Sequence, residues 1–269
     1  MSPLNIVSWN IGRRQAAIDL LERSNYDIAL LQEVRLPPDS WERAHYDRGA
    51  DVIQLSERAE VSPLSRIPWG RAPEPDELAV SAPGTIAVAH IRPRTGRPFI
   101  AVSIYARWER PHPTTRTSWG VGYADGMAHR AISDLSTFIG SVNPSTHRIL
   151  VAGDFNLIHG ALDENPLALP ARDRSVFARF EALGFEFVGP RHPNGRRAEP
   201  TPRGLPEDTA NVPTYYTTRQ RPESAANQLD YVFASRGFHE AVRARALNGP
   251  KEWGPSDHCR IAIDVDLSG

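Results

Sequence analysis

The sequence predicts an α/β fold, and three observations support that class. Short apolar runs rich in β-branched residues recur along the whole 269-residue chain. Amphipathic segments with helical spacing lie between several of these runs. Strand signals also continue on both sides of the Pro-rich stretches, so no segment resembles a linker between two halves. Although the length allows one large or two small domains, we therefore expect a single α/β domain with a mixed sheet core over residues 1–269.

Eight apolar runs predict the strands of that core. They are residues 4–9, 27–31, 85–91, 98–105, 148–152, 229–234, 241–247 and 260–267. The third and fourth runs flank a turn around Gly96, which suits a hairpin.

Three segments carry apolar residues at helical spacing and predict the helices. They are residues 13–23, 124–139 and 175–183. Gly184 follows the third segment, at the position where helix C-termini favour glycine. The stretch 37–83 is polar and Pro-rich and allows no clear assignment. Residues 107–122 and 190–221 are predicted to be irregular loops, and the second of them is locally basic.

The composition excludes several classes of protein. Hydrophobic residues make up 40% of the chain and charged residues 23%, which is ordinary for a globular protein. No window approaches the length of apolar sequence that a membrane helix needs, and the N-terminus shows no secretory signal. Cys259 is the only cysteine, which excludes an intrachain disulfide and a cysteine-based zinc cluster. We therefore expect a cytoplasmic protein without a membrane partner and infer no obligate protein partner.

The charge balance does not predict a protein that holds long DNA by electrostatics alone. The formal net charge is −1, whereas domains that bind DNA through its phosphate backbone are often strongly basic. Nearly all of the 31 basic residues are arginine, and Lys251 is the only lysine. Codon usage in a GC-rich genome explains this more simply than a need for guanidinium groups that bind phosphate, but composition alone does not decide between them.

Polar residues stand at the ends of the predicted strands, where they would project to one edge of the sheet core. They are Asn10, Glu33, Tyr105, Asp154, Asn156, Asp230, Asp257 and His258. Taken one at a time, each is more often a turn former, a helix cap or a structural side chain. As a set they offer mainly hard oxygen ligands, which suit Mg²⁺, or Mn²⁺ in its place, better than zinc.

Six short motifs around these residues occur in a recognisable order. They are Ser-Trp-Asn-Ile (8–11), Leu-Gln-Glu-Val (31–34), Ser-Ile-Tyr (103–105), Ala-Gly-Asp-Phe-Asn (152–156), Gln-Leu-Asp-Tyr-Val-Phe (228–233) and Ser-Asp-His (256–258). In this order and spacing the chain resembles the endonuclease/exonuclease/phosphatase superfamily, the DNase I-like proteins, from residue 4 to about residue 266. The resemblance implies a four-layered α/β sandwich, in which two mixed β-sheets pack face to face between helices, and metal-dependent hydrolysis of phosphate esters.

The resemblance also implies a role for each residue. Glu33, Asn10 and Asp257 would bind the metal, and Asp154 would orient or deprotonate the attacking water. Asn156 would hold a phosphate oxygen, and Tyr105 would bind the phosphate or support the metal site. His258, oriented by Asp230, would stabilise the transition state. These roles agree with the chemistry, because hydrolysis of a phosphodiester needs a cation, a base and a donor for developing charge.

The adjacency of Asp257 and His258 adds a geometric requirement. Successive side chains of an extended strand point to opposite faces, so a bend is needed to aim both at one site. Gly254 and Pro255 precede the pair and would supply that bend. We expect one catalytic metal, and whether a second binds stays open.

The chain departs from several members of the superfamily. Gly12 and Arg13 follow Asn10, where related nucleases often carry an acidic residue. The run Tyr-Ala-Arg-Trp at 105–108 lacks the Pro-Asn usual in abasic-site endonucleases, which argues against specific abasic-site repair. The run Asn-Gln-Leu-Asp-Tyr at 227–231 is closer to the nuclease form than to the inositol polyphosphate phosphatase form. Bacterial sphingomyelinases are secreted, and no export signal is visible here.

The two long loops supply candidate substrate contacts, since arginines and aromatic rings suit single-stranded or distorted nucleic acid. The predicted substrate residues are Arg107, Trp108, Arg196, Arg197, Tyr215 and Trp253. Further loop residues of the same kinds are Arg110, Arg116, Trp119, Tyr216, Arg219 and Arg221. The alternative is that these loops carry arginine only because the chain uses arginine for nearly every basic position, and that Trp253 packs beneath the site.

Three functions fit the sequence. The first is a nuclease or related phosphodiesterase, dependent on Mg²⁺ or Mn²⁺, with nucleic acid or another phosphate ester as substrate. The second is a phosphomonoesterase for a small phosphorylated molecule, which would need a narrow pocket rather than an open groove. The third is a catalytically silent binding domain, against which the presence of all eight polar residues argues.

Overall fold

The computed structural model describes residues 2–115, 123–140, 147–165 and 169–268. The strands in chain order are β1 (Leu4–Asn10), β2 (Ile28–Arg35), β3 (Arg48–Gln54), β4 (Ala59–Pro63), β5 (Ser65–Pro68), β6 (Glu77–Val80), β7 (Ile86–Pro93), β8 (Phe99–Tyr105), β9 (Ile149–Asp154), β10 (Phe185–Gly189), β11 (Asp230–Ser235), β12 (Val242–Leu247) and β13 (Arg260–Val265). The α-helices are α1 (Gln15–Glu22), α2 (Asp125–Ile139) and α3 (Pro170–Ala182). In these parts of the chain, no helix has the length and apolarity of a membrane span.

Two mixed sheets form the centre of the molecule. One sheet has the strand order β12-β13-β1-β2-β3, and the other has the order β10-β11-β9-β8-β7-β4. Each sheet contains one parallel pair, β1 with β2 and β8 with β9, while its other neighbours are antiparallel. β5 and β6 form a separate two-stranded parallel sheet.

The apolar faces of these elements build four layers. Side chains from both large sheets, such as Ile6 and Leu150, are buried together between them. α1 covers the outer face of the first sheet through Ala17 and Leu21. α2 and α3 cover the outer face of the second sheet, where Phe180 stacks on Phe233 with ring centroids 4.3 Å apart. The predicted four-layered α/β sandwich is confirmed.

The strand directions bring the predicted polar residues to one edge of the two sheets, here called the rim, where the C-terminal ends of β1, β2, β8 and β9 lie. β1 and β2 run parallel, so their C-terminal ends meet at the same edge, as do those of β8 and β9. β11 is antiparallel to β9, with Asp230 directly opposite Asp154. β13 is antiparallel to β1, so the residues before β13 lie beside the end of β1.

Most predicted elements occur, with three differences. The stretch 37–83, left unassigned, contains β3, β4, β5 and β6. The edge strand β10 was not predicted. The third helix begins at Pro170 rather than near residue 175. Its first turn carries no apolar stripe, so the helical spacing of apolar residues did not reveal it, and the buried residue of that turn is a carboxylate, Asp173. Gly184 has the positive φ of +83° expected after a helix end.

The predicted irregular loops are only partly described. Residues 107–115 contain no regular element beyond a short 3₁₀ turn at Pro113–Thr115. Arg116 and Trp119 lie outside the described residues. Residues 190–221 form a long loop whose Tyr215 makes isolated bridges to Asn227 and to His258.

Candidate active site

His258 lies between two buried carboxylates at the rim. Its Nδ1 is 2.9 Å from Oδ2 of Asp230, and its Nε2 is 3.8 Å from Oδ2 of Asp154. Burial disfavours a charged imidazole, but the two carboxylates outweigh it and raise the pKa of His258 to about 10. The ring is therefore protonated at neutral pH, with Nδ1–H donated to Asp230 and Nε2–H directed toward the space beside Asp154.

Asp154 is held by two amide side chains. The Nδ2 groups of Asn10 and Asn156 each donate to Oδ2 of Asp154 at 2.9 Å, and the backbone N–H of Asn156 donates to Oδ1 at 3.0 Å. Burial raises the pKa of Asp154 to about 7, with His258 lowering it and Asp230 raising it. A carboxylate with this pKa is matched to accept a proton near neutral pH.

Asn156 has a positive φ of +50°, which turns the chain back so that its side chain meets Asp154. Its Nδ2 also donates to the backbone carbonyl of Ala106 at 3.2 Å. Both of its amide protons are therefore used within the protein, and in this arrangement Asn156 orients Asp154. Binding a phosphate oxygen, its predicted role, would require exchange of one of these hydrogen bonds.

Glu33 reaches the rim from an irregularity in β2. The register of β2 with β3 shifts between Leu31 and Val34, and Glu33 has a positive φ of +56°. Its Oε1 accepts the hydroxyl of Tyr105 at 3.0 Å and lies 3.4 Å from Nδ2 of Asn10. Burial and the Glu33 carboxylate raise the pKa of Tyr105 far above its ordinary value, so the phenol stays a donor. Tyr105 thus donates to Glu33, while its roles at the phosphate or at a metal stay predictions.

Arg48 is a site residue that sequence reasoning missed. Its Nη1 pairs with Oε2 of Glu33, and its Nε donates to the hydroxyl of Tyr46 at 3.0 Å. The Tyr46 ring also lies 4.2 Å from the Arg107 guanidinium carbon. Arg48 begins β3, inside the unassigned stretch 37–83, so no apolar pattern marked it as a rim residue.

The loop that carries Asp257 and His258 is tied to the end of β1. Ser256 Oγ donates to the carbonyl of Asn10 at 2.6 Å, and Trp9 Nε1 donates to the carbonyl of His258 at 2.8 Å. Gly254 has a φ of +83°, and a Cβ there would lie 3.4 Å from the Trp9 ring, which agrees with the predicted bend. Asp257 is partly exposed, and its Oδ1 is 3.6 Å from Nη2 of Arg14.

Two groups of residues at the rim have the donors for a cation. Within the described residues, Asp154, Asp230 and His258 have ligand atoms that all lie within 4.8 Å of one another. Nδ1 of His258 and Oδ2 of Asp230 already share a hydrogen bond, which a cation would have to replace in order to use both atoms as ligands. The oxygens of Glu33, Asp257 and Asn10, the predicted ligands, are hard donors suited to Mg²⁺. Nδ2 of Asn10 is 3.4 Å from Oε1 of Glu33, and Asp257 follows Ser256, whose hydroxyl donates to the carbonyl of Asn10. The donor set therefore fits such an ion, although Arg48 already pairs with Glu33.

The predicted substrate residues have different surroundings. The ring of Tyr215 lies beside His258, with centroids 4.9 Å apart, and Trp108 is 39% exposed. Arg107 donates to the carbonyl of Pro83 and stacks on Tyr46. The ring of Tyr215 therefore lies next to His258, and the ring of Trp108 is partly open to solvent.

The other three predicted substrate residues are engaged within the protein. Trp253 is 1% exposed and packs edge-on against Tyr216, so its burial argues against a substrate contact. Arg196 donates to backbone carbonyls of Asn248, Arg197 and Pro222 and thereby holds the loop together. Arg197 is half-buried, and its Nε is buried. The sequence marked these residues by type, but their contacts depend on how the loop folds.

The family model for the endonuclease/exonuclease/phosphatase family matches residues 7–258. The chain belongs to this family. It is accordingly a hydrolase of the nuclease and phosphatase class. No curated protein sequence gives a significant match to this endonuclease/exonuclease/phosphatase protein.

Solved structures with the same fold cover nearly the whole of this family member. An AP endonuclease from Archaeoglobus fulgidus is 17% identical, with a TM-score of 0.62 and coverage of 98% of this chain and 100% of that one. A 3′-5′ exonuclease (NExo) from Neisseria meningitidis is 16% identical, with a TM-score of 0.60 and coverage of 97% and 99%. The endonuclease domain of TRAS1, a telomere-specific non-LTR retrotransposon, is 15% identical, with a TM-score of 0.60 and coverage of 99% and 100%.

Proposed function

We propose that this protein is a divalent-metal-dependent phosphodiesterase that cleaves nucleic acid. The observation that carries the proposal is the placement of His258, held at Nδ1 by Asp230 and with its other nitrogen 3.8 Å from Asp154. This arrangement puts a protonated donor and a carboxylate base side by side. Hydrolysis of a phosphate ester needs both groups at one phosphorus atom.

Asp154 is the base in this mechanism. It accepts a proton from a water molecule as the water oxygen attacks phosphorus, and Asn10 and Asn156 hold the carboxylate in place. The bond between phosphorus and the leaving oxygen breaks as the new bond forms. Because burial raises the pKa of Asp154 to about 7, the carboxylate takes up the proton readily near neutral pH.

His258 stabilises the charge that develops on the phosphate oxygens. Its Nε2–H donates to a non-bridging oxygen, and Asp230 keeps the ring oriented and positively charged. Donors aimed at developing charge in a site screened from water contribute strongly to such reactions. Tyr215, beside the imidazole, would pack against a sugar or base of the substrate.

Glu33, Asn10 and Asp257 would hold the metal, for which Mg²⁺ is the first candidate and Mn²⁺ the substitute. A divalent ion bound there neutralises phosphate charge and polarises the phosphorus–oxygen bonds. Tyr105 keeps the Glu33 carboxylate turned toward the site through its hydroxyl.

Nucleic acid is the substrate class that the surroundings of the site favour. Tyr215 and the exposed Trp108 offer ring faces for stacking, and Arg107 is a cation near the same edge. The structures similar to this chain carry the names of an AP endonuclease, a 3′-5′ exonuclease and a retrotransposon endonuclease. The absence of a large basic excess predicts modest non-specific affinity for DNA.

The test is a substrate panel assayed with Mg²⁺, with Mn²⁺ and with EDTA. It contains single-stranded and double-stranded DNA, RNA, an abasic duplex, inositol phosphates and a p-nitrophenyl phosphodiester. We expect cleavage of at least one nucleic acid, its loss in EDTA, and its loss in Asp154→Asn but not in the exposed control Asp163→Asn. Turnover confined to phosphomonoesters would replace the proposal with the phosphatase alternative. Unchanged cleavage in EDTA would overturn the metal assignment.

A further inference from the structure

A basic cavity lies at the end of the sandwich opposite the candidate active site. It has a volume of about 400 Å³ and opens between the turn that joins β7 to β8 and the start of β9. Its polar lining consists of His90, Arg92, Arg97, His147 and Arg148, and the described residues that line it include no aspartate or glutamate. Three arginines and two histidines, with no carboxylate among the described lining residues, are a composition suited to an anion.

Arg148 is the central cation of this cavity. Its guanidinium carbon lies 4.5 Å from the centre of the Phe238 ring, on which the group stacks. The Nε and Nη2 atoms are buried and make no hydrogen bond in the structure. Burial, with a smaller contribution from Arg97, lowers the pKa of Arg148, and no carboxylate offsets either effect. A half-buried cation without a counter-charge is costly unless an anion joins it.

The backbone around Arg148 is held firmly on both sides. Its carbonyl accepts the N–H of Ile100 at 2.8 Å, which joins it to β8. Ser235 donates its hydroxyl to the carbonyl of His147 and accepts the N–H of Ile149 at 3.1 Å. These bonds fix the backbone that carries Arg148, and stacking on Phe238 orders its guanidinium, which reduces the entropy cost of binding a ligand.

A neighbouring acid pairs with one exposed arginine of the lining and not with Arg148. Arg92 pairs with Glu60 at 3.6 Å, but both side chains are 63% exposed, so this pair lies in solvent on the outer side. The carboxylate of Glu60 is therefore screened by water from the half-buried guanidinium of Arg148.

We propose that this cavity, the Arg148 pocket, binds the phosphate group of a small phosphorylated molecule. A doubly charged phosphate matches two guanidinium groups better than a single carboxylate does, and arginine forks suit its oxygens. The volume of the cavity is that of a small-ligand site, so the organic part of such a molecule has room beside its phosphate.

The pocket is separate from the catalytic rim. Ile100 of the pocket and Tyr105 of the rim lie in the same strand, five positions apart, or roughly 17 Å along β8. One phosphate cannot occupy both places, and the inference does not depend on the proposed function.

Calorimetric titration with inorganic phosphate tests the proposal. A parallel titration with sodium chloride at the same ionic strength controls for a general effect of salt. Arg148→Met keeps an apolar stem on Phe238 but removes the charge, and Arg97→Gln removes the second cation from an exposed position. We expect Arg148→Met to weaken phosphate binding about tenfold or more, and Arg97→Gln to weaken it in the same direction. The control Arg23→Met, at an exposed site on the end of α1, keeps the wild-type affinity.

Thermal unfolding supplies a second readout. Without phosphate, Arg148→Met is at least as stable as the wild type, because an uncompensated charge is removed, and phosphate raises the Tm of the wild type but not of this variant. A 5′-mononucleotide that binds with the same dependence on Arg148 shows that the pocket accepts a phosphate ester as well as free phosphate. Absence of binding to the wild type, or binding that survives Arg148→Met and is lost in His258→Gln, overturns the proposal.

Discussion

Nδ1 of His258 lies 2.9 Å from Oδ2 of Asp230, with the two side chains only 6% and 1% exposed. Asp230 is itself fixed, because Thr214 Oγ1 accepts its backbone N–H at 3.1 Å and that of Leu229 at 2.9 Å. The carboxylate therefore sets both the orientation of the imidazole and its charge. Asp154, on the other side of the ring, adds to the charge but lies beyond hydrogen-bond distance.

Asp230→Asn separates these two effects. The amide can still accept from Nδ1–H, but its loss of charge lowers the pKa of His258 from about 10. In the proposed mechanism the protonated ring is the active form, so the wild type should stay active until the pH approaches 10, whereas the alkaline fall in activity of the variant should move to lower pH. We expect a loss of about 100-fold or more at pH 8. Rate profiles against pH and NMR titration of the imidazole check this.

The exposed Asp208→Asn is the control for Asp230→Asn and should follow the wild-type profile. An Asp230→Asn profile that falls at the same pH as the wild type would show that Asp230 does not hold the charge on His258.

The ion pair of Arg48 with Glu33 would compete with a metal at that carboxylate. Its Nη1 pairs with one oxygen of the carboxylate that we assign to the metal. Arg48→Met therefore leaves Glu33 more available to a cation, and we expect Mn²⁺ to bind several-fold more tightly. Without metal, the same variant should be less stable than the wild type, because Glu33 keeps its charge without its partner.

Calorimetry with Mn²⁺ and urea unfolding in EDTA measure the two effects of Arg48→Met. Arg35→Met, an exposed arginine two positions after Glu33, is the control and should change neither by a comparable amount. Weaker metal binding in Arg48→Met would indicate that Arg48 positions Glu33 for the metal rather than competing with it.

The order of polar residues along the chain predicted the rim, but their exact contacts depend on the fold. Asn10, Asp154, Asp230 and His258 come together because each stands at a strand end, and strand ends can be recognised from apolar runs. Arg48 follows no such run, so only the register of β3 with β2 reveals it.

The substrate contacts predicted in the loops were less accurate, because these contacts also depend on the fold. Arginine and tryptophan in a loop can face a substrate or the protein, and residue type does not distinguish the two. Arg196 donates to three backbone carbonyls, and Trp253 packs on Tyr216. The bonds of Arg196 to Asn248 and Pro222 and the packing of Trp253 on Tyr216 join residues far apart in sequence, so no local pattern encodes them.

Gly153 is required by the close approach of β8 to β9 just before Asp154. A Cβ at this position would lie 1.9 Å from the carbonyl oxygen of Ile104 and 2.8 Å from its nitrogen, both backbone atoms. Gly153→Ala must therefore separate two paired strands, and we expect it to lower the free energy of unfolding by about 4 kcal/mol or more. Urea unfolding measures the loss.

Gly160→Ala is the matched control for Gly153→Ala. Gly160 also has a positive φ, +70°, but a Cβ there would meet nothing within 4 Å. Gly160→Ala should lower the free energy of unfolding by only about 1–2 kcal/mol, from the backbone conformation alone. Equal losses in the two variants would mean that steric contact with Ile104 is not the reason for glycine at position 153.

Asp173 makes stability depend on pH. This buried carboxylate of α3 accepts the backbone N–H of Ile158 at 3.2 Å, and burial raises its pKa to about 6 from an ordinary value of 3.8. The folded protein thus favours the protonated form. The stabilising contribution is fully present below about pH 4 and is lost as the pH rises through 6, at a cost of about 3 kcal/mol.

Asp173→Asn removes that dependence, because the amide is neutral at every pH and its oxygen can still accept from Ile158. Relative to the wild type, the free energy of unfolding of the variant should rise between pH 4 and pH 7, by up to about 3 kcal/mol. Urea unfolding at pH 4, 5, 6, 7 and 8 measures the difference, with the exposed Asp163→Asn expected to follow the wild type. A constant difference between Asp173→Asn and the wild type across this range would mean that Asp173 ionises equally easily in the folded and unfolded chains, and that its burial within α3 does not govern its charge.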